Sequence, residues 1–302
     1  MIFLISILSL MAKEPIEPIP QRQHYDRQKA MLGKLLYFDP ILSKDKTITC
    51  ASCHDFRYGG ADPRPVSIGV EGKKGDMNSP TVYNVIYNSS YFWNGRAATL
   101  KEQLDGPLLN PVEMGMNKES VEKRLNASEF YKNLFKKVYK QDFISYDMVK
   151  DALVEFEKAL VTPNSKFDRF LLGETKLSSK EHAGYILFKK LGCITCHNGI
   201  NLGGNSYQKI GSVIPYAGRI VHDRYEYTKN PAHKGVYRVP SLRNIELTAP
   251  YFHDASAKTL QDAVNKIAFH NLGFRLKPEE TEKIVAFLKT LTGKKPEILN
   301  ED

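Results

Sequence analysis

The sequence is poor in cysteine, nearly empty of tryptophan, and short of long apolar runs. Four cysteines and one tryptophan occur in 302 residues, and no histidine lies between His54 and His182. Past residue 12 no stretch is apolar enough to cross a bilayer as a helix, which takes about 20 residues. No alternating pattern of the kind that builds a sheet core is apparent. No recognised nucleic-acid motif is present, so no nucleic-acid partner is expected. The scarcity of cysteine leaves it only one role, because all four fall in two copies of one short pattern.

Those copies are C-x-x-C-H units, Cys50/Cys53/His54 and Cys193/Cys196/His197, the second starting 143 residues after the first. An exported chain could oxidise such pairs to disulfides. Zinc would need two knuckles to meet, usually at closer spacing, and would not require His after each. A covalently attached haem explains every residue. Two thioethers fix the porphyrin vinyl groups, and the following imidazole turns back onto the iron. Two c-type haems are therefore expected, in two domains rather than a closely packed string.

The chain is 42% hydrophobic, enough for proper cores, and long enough for two ordinary domains. Its formal charge is +9, with basic residues scattered along it. Solvated helix faces explain that scatter. If a patch exists, an acidic redox partner suits it better than nucleic acid. Residues 2–11, "IFLISILSLM", form an apolar run ending near Ala12. It suits a signal peptide over 1–12, with an uncleaved anchor as the alternative. Residues 13–25 read as an extended surface strap. The spacing predicts helices over 26–37, 120–139, 146–161, 178–191, 259–270 and 278–291. Ser178 and Glu181 make a capping box, and Pro278 sits at a helix start. Residues 56–80 and 198–240 read as loop. The fold class is mainly α, with two cytochrome c-like haem domains and long irregular loops, an N-terminal one over 13–163 and a C-terminal one over 164–302.

Between the haem units, residues 78–115 carry Trp93, Arg96, Gln103 and Glu113, with Pro107 and Pro111 fixing the loop. A carboxylate such as Glu113 can move protons, whereas an amide such as Gln103 can only hydrogen-bond. With "NSPTVYN", "FWNGRA", "EQLDGP", "NPVEMG", "VPSLRN", "TAPYFHD" and "IVAFLKTLTG" in one order, the chain resembles the bacterial di-haem cytochrome c peroxidases over nearly its whole length after the signal segment. The resemblance implies a low-potential peroxidatic haem on Cys50, Cys53 and His54. It implies an electron-receiving haem on Cys193, Cys196 and His197. Trp93 would assist transfer between them, and Glu113 and Gln103 would line the peroxide pocket. Asn78 and the carbonyls of Thr248 and Pro250 would hold one calcium ion, for which oxygen ligands are suited. A homodimer is also implied.

Two departures from the family pattern stand out. Many members park a histidine over the first haem after "VS-x-G", but here Val70 takes that place. The first iron is then expected open when fully oxidised, without reductive activation. At the second haem the usual methionine ligand has become Ile267. His270, three residues on, is the candidate replacement. His253 is expected to support a propionate or the loop. The expected activity is reduction of hydrogen peroxide to water with electrons from a small donor such as a monohaem cytochrome c. The alternatives are oxidation of a partner protein, as in the related methylamine dehydrogenase maturation protein, and non-catalytic electron transfer. Thioether attachment places the protein in the periplasm.

Overall fold

Asp26 ends the extended N-terminal strap by accepting hydrogen bonds from the N–H groups of Gln28 and Lys29, which starts helix α1 (Arg27–Phe38). The structure is a computed structural model that describes residues 14–301; the apolar run and Ala12 lie outside the described residues. After α1 come the short α2 (Leu100–Gln103) and α3 (Asp105–Leu109), then α4 (Lys118–Asn126), α5 (Glu129–Tyr139) and α6 (Tyr146–Ala159). Residues 120–139, expected as one helix, are two. Ser128 stops propagation by accepting from the Tyr131 N–H, so the chain bends and α5 starts afresh.

The second half contains α7 (Lys166–Leu171), α8 (Ser179–Lys190), strand β1 (Tyr207–Lys209), α9 (Arg224–Thr228), strand β2 (Val236–Arg238), α10 (Leu260–Leu272) and α11 (Pro278–Lys289). The Ser178–Glu181 capping box forms as its spacing requires. β1 and β2 pair antiparallel, with Tyr207 opposite Arg238, inside the region expected as loop. Among the described residues no helix is long and apolar enough to cross a membrane.

Both halves rest on the same contact. In the first, α1 packs on α6 so closely that a Cβ on Gly33 would lie 2.0 Å from the Ala152 carbonyl oxygen. In the second, α8 packs on α11, and a Cβ on Gly184 would lie 1.9 Å from the Lys283 carbonyl oxygen. Only glycine lets two backbones approach like this. One apolar cluster gathers Leu36, Tyr37, Phe135 and Phe156; the other gathers Phe167, Tyr185, Phe188 and Phe287. The chain ends cross between them. Ile16 joins the second cluster and Ile298 the first. The strap is thus tucked in rather than laid on the surface, with Ile16 and Ile19 buried. The Ile19 N–H donates to Asp168, whose carboxylate also takes the buried Arg243 guanidinium at 2.7 Å.

A repeat not read from the sequence joins the halves. "YFWNGRA" at 91–97 and "YFHDASA" at 251–257 are 160 residues apart. Each closes on itself by a Tyr-to-Ala bridge. Phe92 and Phe252 both adopt positive φ, and so do Asn84 and Asn244 upstream of them. The two asparagines are buried and converge on Thr162, 2% exposed: each donates its amide to the Thr162 hydroxyl oxygen at 2.8 Å. Thr162→Val leaves both amides without that acceptor, at a cost of about 2–4 kcal/mol. Denaturant titration of the holoprotein should show this loss, and Thr162→Ser should recover most of it. Equal losses in both variants would show that the hydroxyl is not what the stability depends on.

Candidate active site

The two C-x-x-C-H units fold identically. Each opens with a single 3-10 turn, Cys50–Ser52 and Cys193–Thr195. The N–H of His54 donates to the Cys50 carbonyl at 3.0 Å, and that of His197 to the Cys193 carbonyl at 3.0 Å. This folds each imidazole back over its own cysteine pair. A reciprocal Thr49–Ser52 cap sets the first turn, and Gly192 at φ 85° sets the second.

Each imidazole is then locked by a carbonyl. His54 Nδ1 donates to the Pro80 carbonyl at 3.0 Å, and His197 Nδ1 to the Leu202 carbonyl at 3.0 Å. That fixes the proton on Nδ1 and leaves Nε2 with a free lone pair, the arrangement a metal-bound imidazole needs. Burial pushes both histidines toward the neutral form. None of the four cysteines is paired in a disulfide. Burial pushes Cys50 up to about 12 and Cys193 up to about 11. Among the described residues no group of three or more His, Cys, Asp or Glu could hold a metal by itself.

A largely apolar cavity opens beside the second unit, lined by Cys193, Cys196, His197, Phe188, Leu288 and the inner face of α10. It also holds Arg238, 6% exposed, with no carboxylate partner among the described residues and a pKa lowered to about 10 by burial. A buried cation facing an apolar cavity calls for an anion. The propionates of a haem would provide one. The donor set, the free Nε2 atoms and this cation all fit c-type haem.

Near the first unit stands Glu113. Asn110 Nδ2 donates to its Oε1 at 2.7 Å. Burial raises its pKa, while Asn110 and the Arg96 guanidinium pull it back down. It lies within electrostatic reach of Cys53. Its backbone is gripped by the loop that carries Val70. Val70 N–H donates to the Glu113 carbonyl at 2.8 Å, Val70 is fully buried, and a Cβ on Gly69 would meet the Val112 carbonyl at 2.0 Å. Gln103 ends α2, half-buried, and its amide makes no hydrogen bond to a described residue. Arg96 lies 3.3 Å over the Phe92 ring.

Trp93 bridges the two units. It lines the cavity with His197, and its indole N–H donates to the Asn78 carbonyl at 2.9 Å. Asn78 is two residues from Pro80, the partner of His54. Trp93 also meets His253 edge-on at 6.1 Å, its counterpart in the repeat. His253 is buried, stacked 4.1 Å from Tyr237, and donates from Nε2 to the Arg219 carbonyl. Asn78, Thr248 and Pro250 line this same cavity.

His270 is not brought to the site. Ile267 lines the cavity and His270 does not. Its Nδ1 donates to the Ile214 carbonyl at 3.1 Å, and its ring stands edge-on to Tyr216 at 5.3 Å. Three residues along a helix turn a side chain by about 60° short of a full circle, enough to move it to the flank. The sequence reading also passed over Arg238 and Glu157. Glu157 is a buried acid pushed up to about 8 by desolvation, near Cys50 and Tyr91. Its place in a periodic helix gave no signal except a charge on an otherwise apolar face.

The model of the di-haem cytochrome c peroxidase family matches residues 27–176, and that of cytochrome c matches residues 182–292. The cytochrome c551 peroxidase of Nitrosomonas europaea is 46% identical across 95% of this chain and 86% of its own. That of Pseudomonas aeruginosa is 40% identical across 93% and 85%. Among solved structures, a MauG-like protein associated with microbial copper homeostasis superposes with a TM-score of 0.81, at 28% identity over 95% of both chains. With paired haem-binding turns, a carboxylate beside the first and relatives this close, the chain belongs to the di-haem cytochrome c peroxidases, enzymes that reduce hydrogen peroxide with electrons from a cytochrome.

Proposed function

We propose that this peroxidase works in the periplasm, takes peroxide at the haem on Cys50, Cys53 and His54, and receives electrons through the haem on Cys193, Cys196 and His197. The division falls near residue 164. Thioether attachment and the apolar start at 2–11 support the location, and the charge of +9 favours an acidic donor cytochrome. The observation that carries the assignment is the seat of Glu113, a desolvated carboxylate held by one oxygen beside Cys53.

Bound haem supplies the redox iron at which the O–O bond breaks. The chain supplies the proton path. Asn110 holds Oε1, so Oε2 is free to take a proton from the near peroxide oxygen and return it to the far one, which leaves as water. Two electrons from the donor and two protons from solvent complete the conversion of one peroxide to two waters. The free amide of Gln103 orients the peroxide. Val70 carries no ligating atom and its loop is pinned to the Glu113 backbone, which supports an enzyme active in the ferric state. Trp93, joined to the Asn78–Pro80 segment and lying against His253, carries electrons between the centres. Asn78 and the carbonyls of Thr248 and Pro250 hold calcium; neither carbonyl accepts a hydrogen bond among the described residues.

Three outcomes are expected. Glu113→Gln should lower kcat/KM for peroxide by about 10²–10⁴-fold. Because the wild-type pKa is raised, the base form is lost as pH falls at a higher pH than for an ordinary glutamate, and that acid limb should vanish in the variant. Unchanged turnover with reduced cytochrome would remove Glu113 from the mechanism. Fully oxidised enzyme that has never been reduced should react with peroxide without a lag in stopped-flow absorbance; a requirement for prior reduction would contradict the pinned loop. Chelation should slow turnover and electron transfer between haems, and calcium, but not magnesium, should restore both. Elemental analysis showing no calcium in active enzyme would rule the ion out.

A further inference from the structure

The wall that α10 gives to the second cavity is aliphatic. Leu260, Ala263, Val264, Ile267 and Ala268 line it, and among the described residues no methionine does. The groups nearby that could bind iron are engaged elsewhere. His270 is committed to the Ile214 carbonyl and Tyr216. His253 donates to the Arg219 carbonyl and lies flat on Tyr237. The Asn271 amide donates to the Lys209 carbonyl and accepts from the Gly211 N–H. Gln208 and Lys209 also line the cavity, from the exposed end of strand β1.

We propose that the second haem centre is itself a binding site for small neutral diatomic ligands such as carbon monoxide and nitric oxide. This rests on the reading that Cys193, Cys196 and His197 hold that haem. His197 would supply one ligand to the iron and the alkyl side chain of Ile267 would supply none, and an aliphatic wall admits a neutral molecule far more readily than an anion. The first centre has the opposite character. Its Glu113, Asn110 and Arg96 suit a hydrogen-bonding, proton-exchanging substrate. The second centre therefore lacks the polar groups with which the first engages peroxide, and a diatomic bound there would obstruct the arrival of electrons. Without a thioether ligand, the second haem also lacks the usual means of raising its potential.

The test is a carbon monoxide titration of fully reduced holoprotein whose two haems per chain have first been counted by haemochrome assay. A haem count below two would break the attachment reading itself. With two haems present, the expected stoichiometry is two carbon monoxide per chain. Ile267→Met should remove one equivalent, turn the second haem low-spin in the ferric electron-spin resonance spectrum, and raise its potential. His270→Ala should change neither the stoichiometry nor the spectrum. A single equivalent that Ile267→Met abolishes would still support the proposal and place the fault in the open first centre. A single equivalent that Ile267→Met leaves intact would overturn it. So would a second equivalent that appears only in His270→Ala, which would make His270 the ligand.

Discussion

One hydroxyl ties the molecule together. Thr162 accepts from Asn84 and Asn244, and its own N–H donates back to Asn84 at 2.8 Å. Each asparagine sits at φ near 60°, at the start of the stretch that leads to Trp93 or His253. A residue in that conformation tolerates little drift when its side chain is fixed and buried. The register of both loops is therefore set from one point midway between the two cores. Gly293 adds to it, donating to the Asn244 carboxamide from the segment that follows α11.

From that point the two imidazoles are positioned through backbone. Both haem-facing imidazoles are oriented by carbonyls, those of Pro80 and Leu202. Asn78 donates its N–H to the His253 carbonyl and its amide to the Arg64 carbonyl, while accepting from Trp93. Within three residues the chain thus touches the first haem ligand, the bridging indole and the second repeat. Neutral hydrogen bonds keep their geometry when a nearby centre changes charge, whereas ion pairs would answer each electron with a shift in field. The ion pairs nearby act on backbone carbonyls: Arg243, paired with Asp168, donates to those of Ile200 and Glu17, and Arg64, paired with Asp62, to that of Ser52.

What was legible in the sequence was chemistry with a fixed spacing. The C-x-x-C-H units, the Ser178 capping box and the long amphipathic helices all depend on residues a few positions apart. Glu113, Gln103, Trp93 and the oxygen trio came only through resemblance, because their meeting depends on folding over tens to hundreds of residues. The 160-residue repeat was hidden because its sides diverged where they matter most: Trp93 answers to His253, and Gln103 to Ala263. The break at Ser128 lost to an apolar period that runs on through it. His270 lies outside the cavity lining, a placement the sequence does not give, since helical spacing sets the angle between two side chains but not which of them faces inward. Arg238 was silent because a buried unpaired arginine looks in sequence like any surface one.

The crossing of the chain ends has a consequence for the order of events in the cell. A chain that emerges N-terminus first presents Ile16 when Phe167 and Phe287, members of the cluster in which it is finally buried, do not yet exist. The first core likewise waits for Ile298. Contacts of the longest sequence separation thus complete both cores.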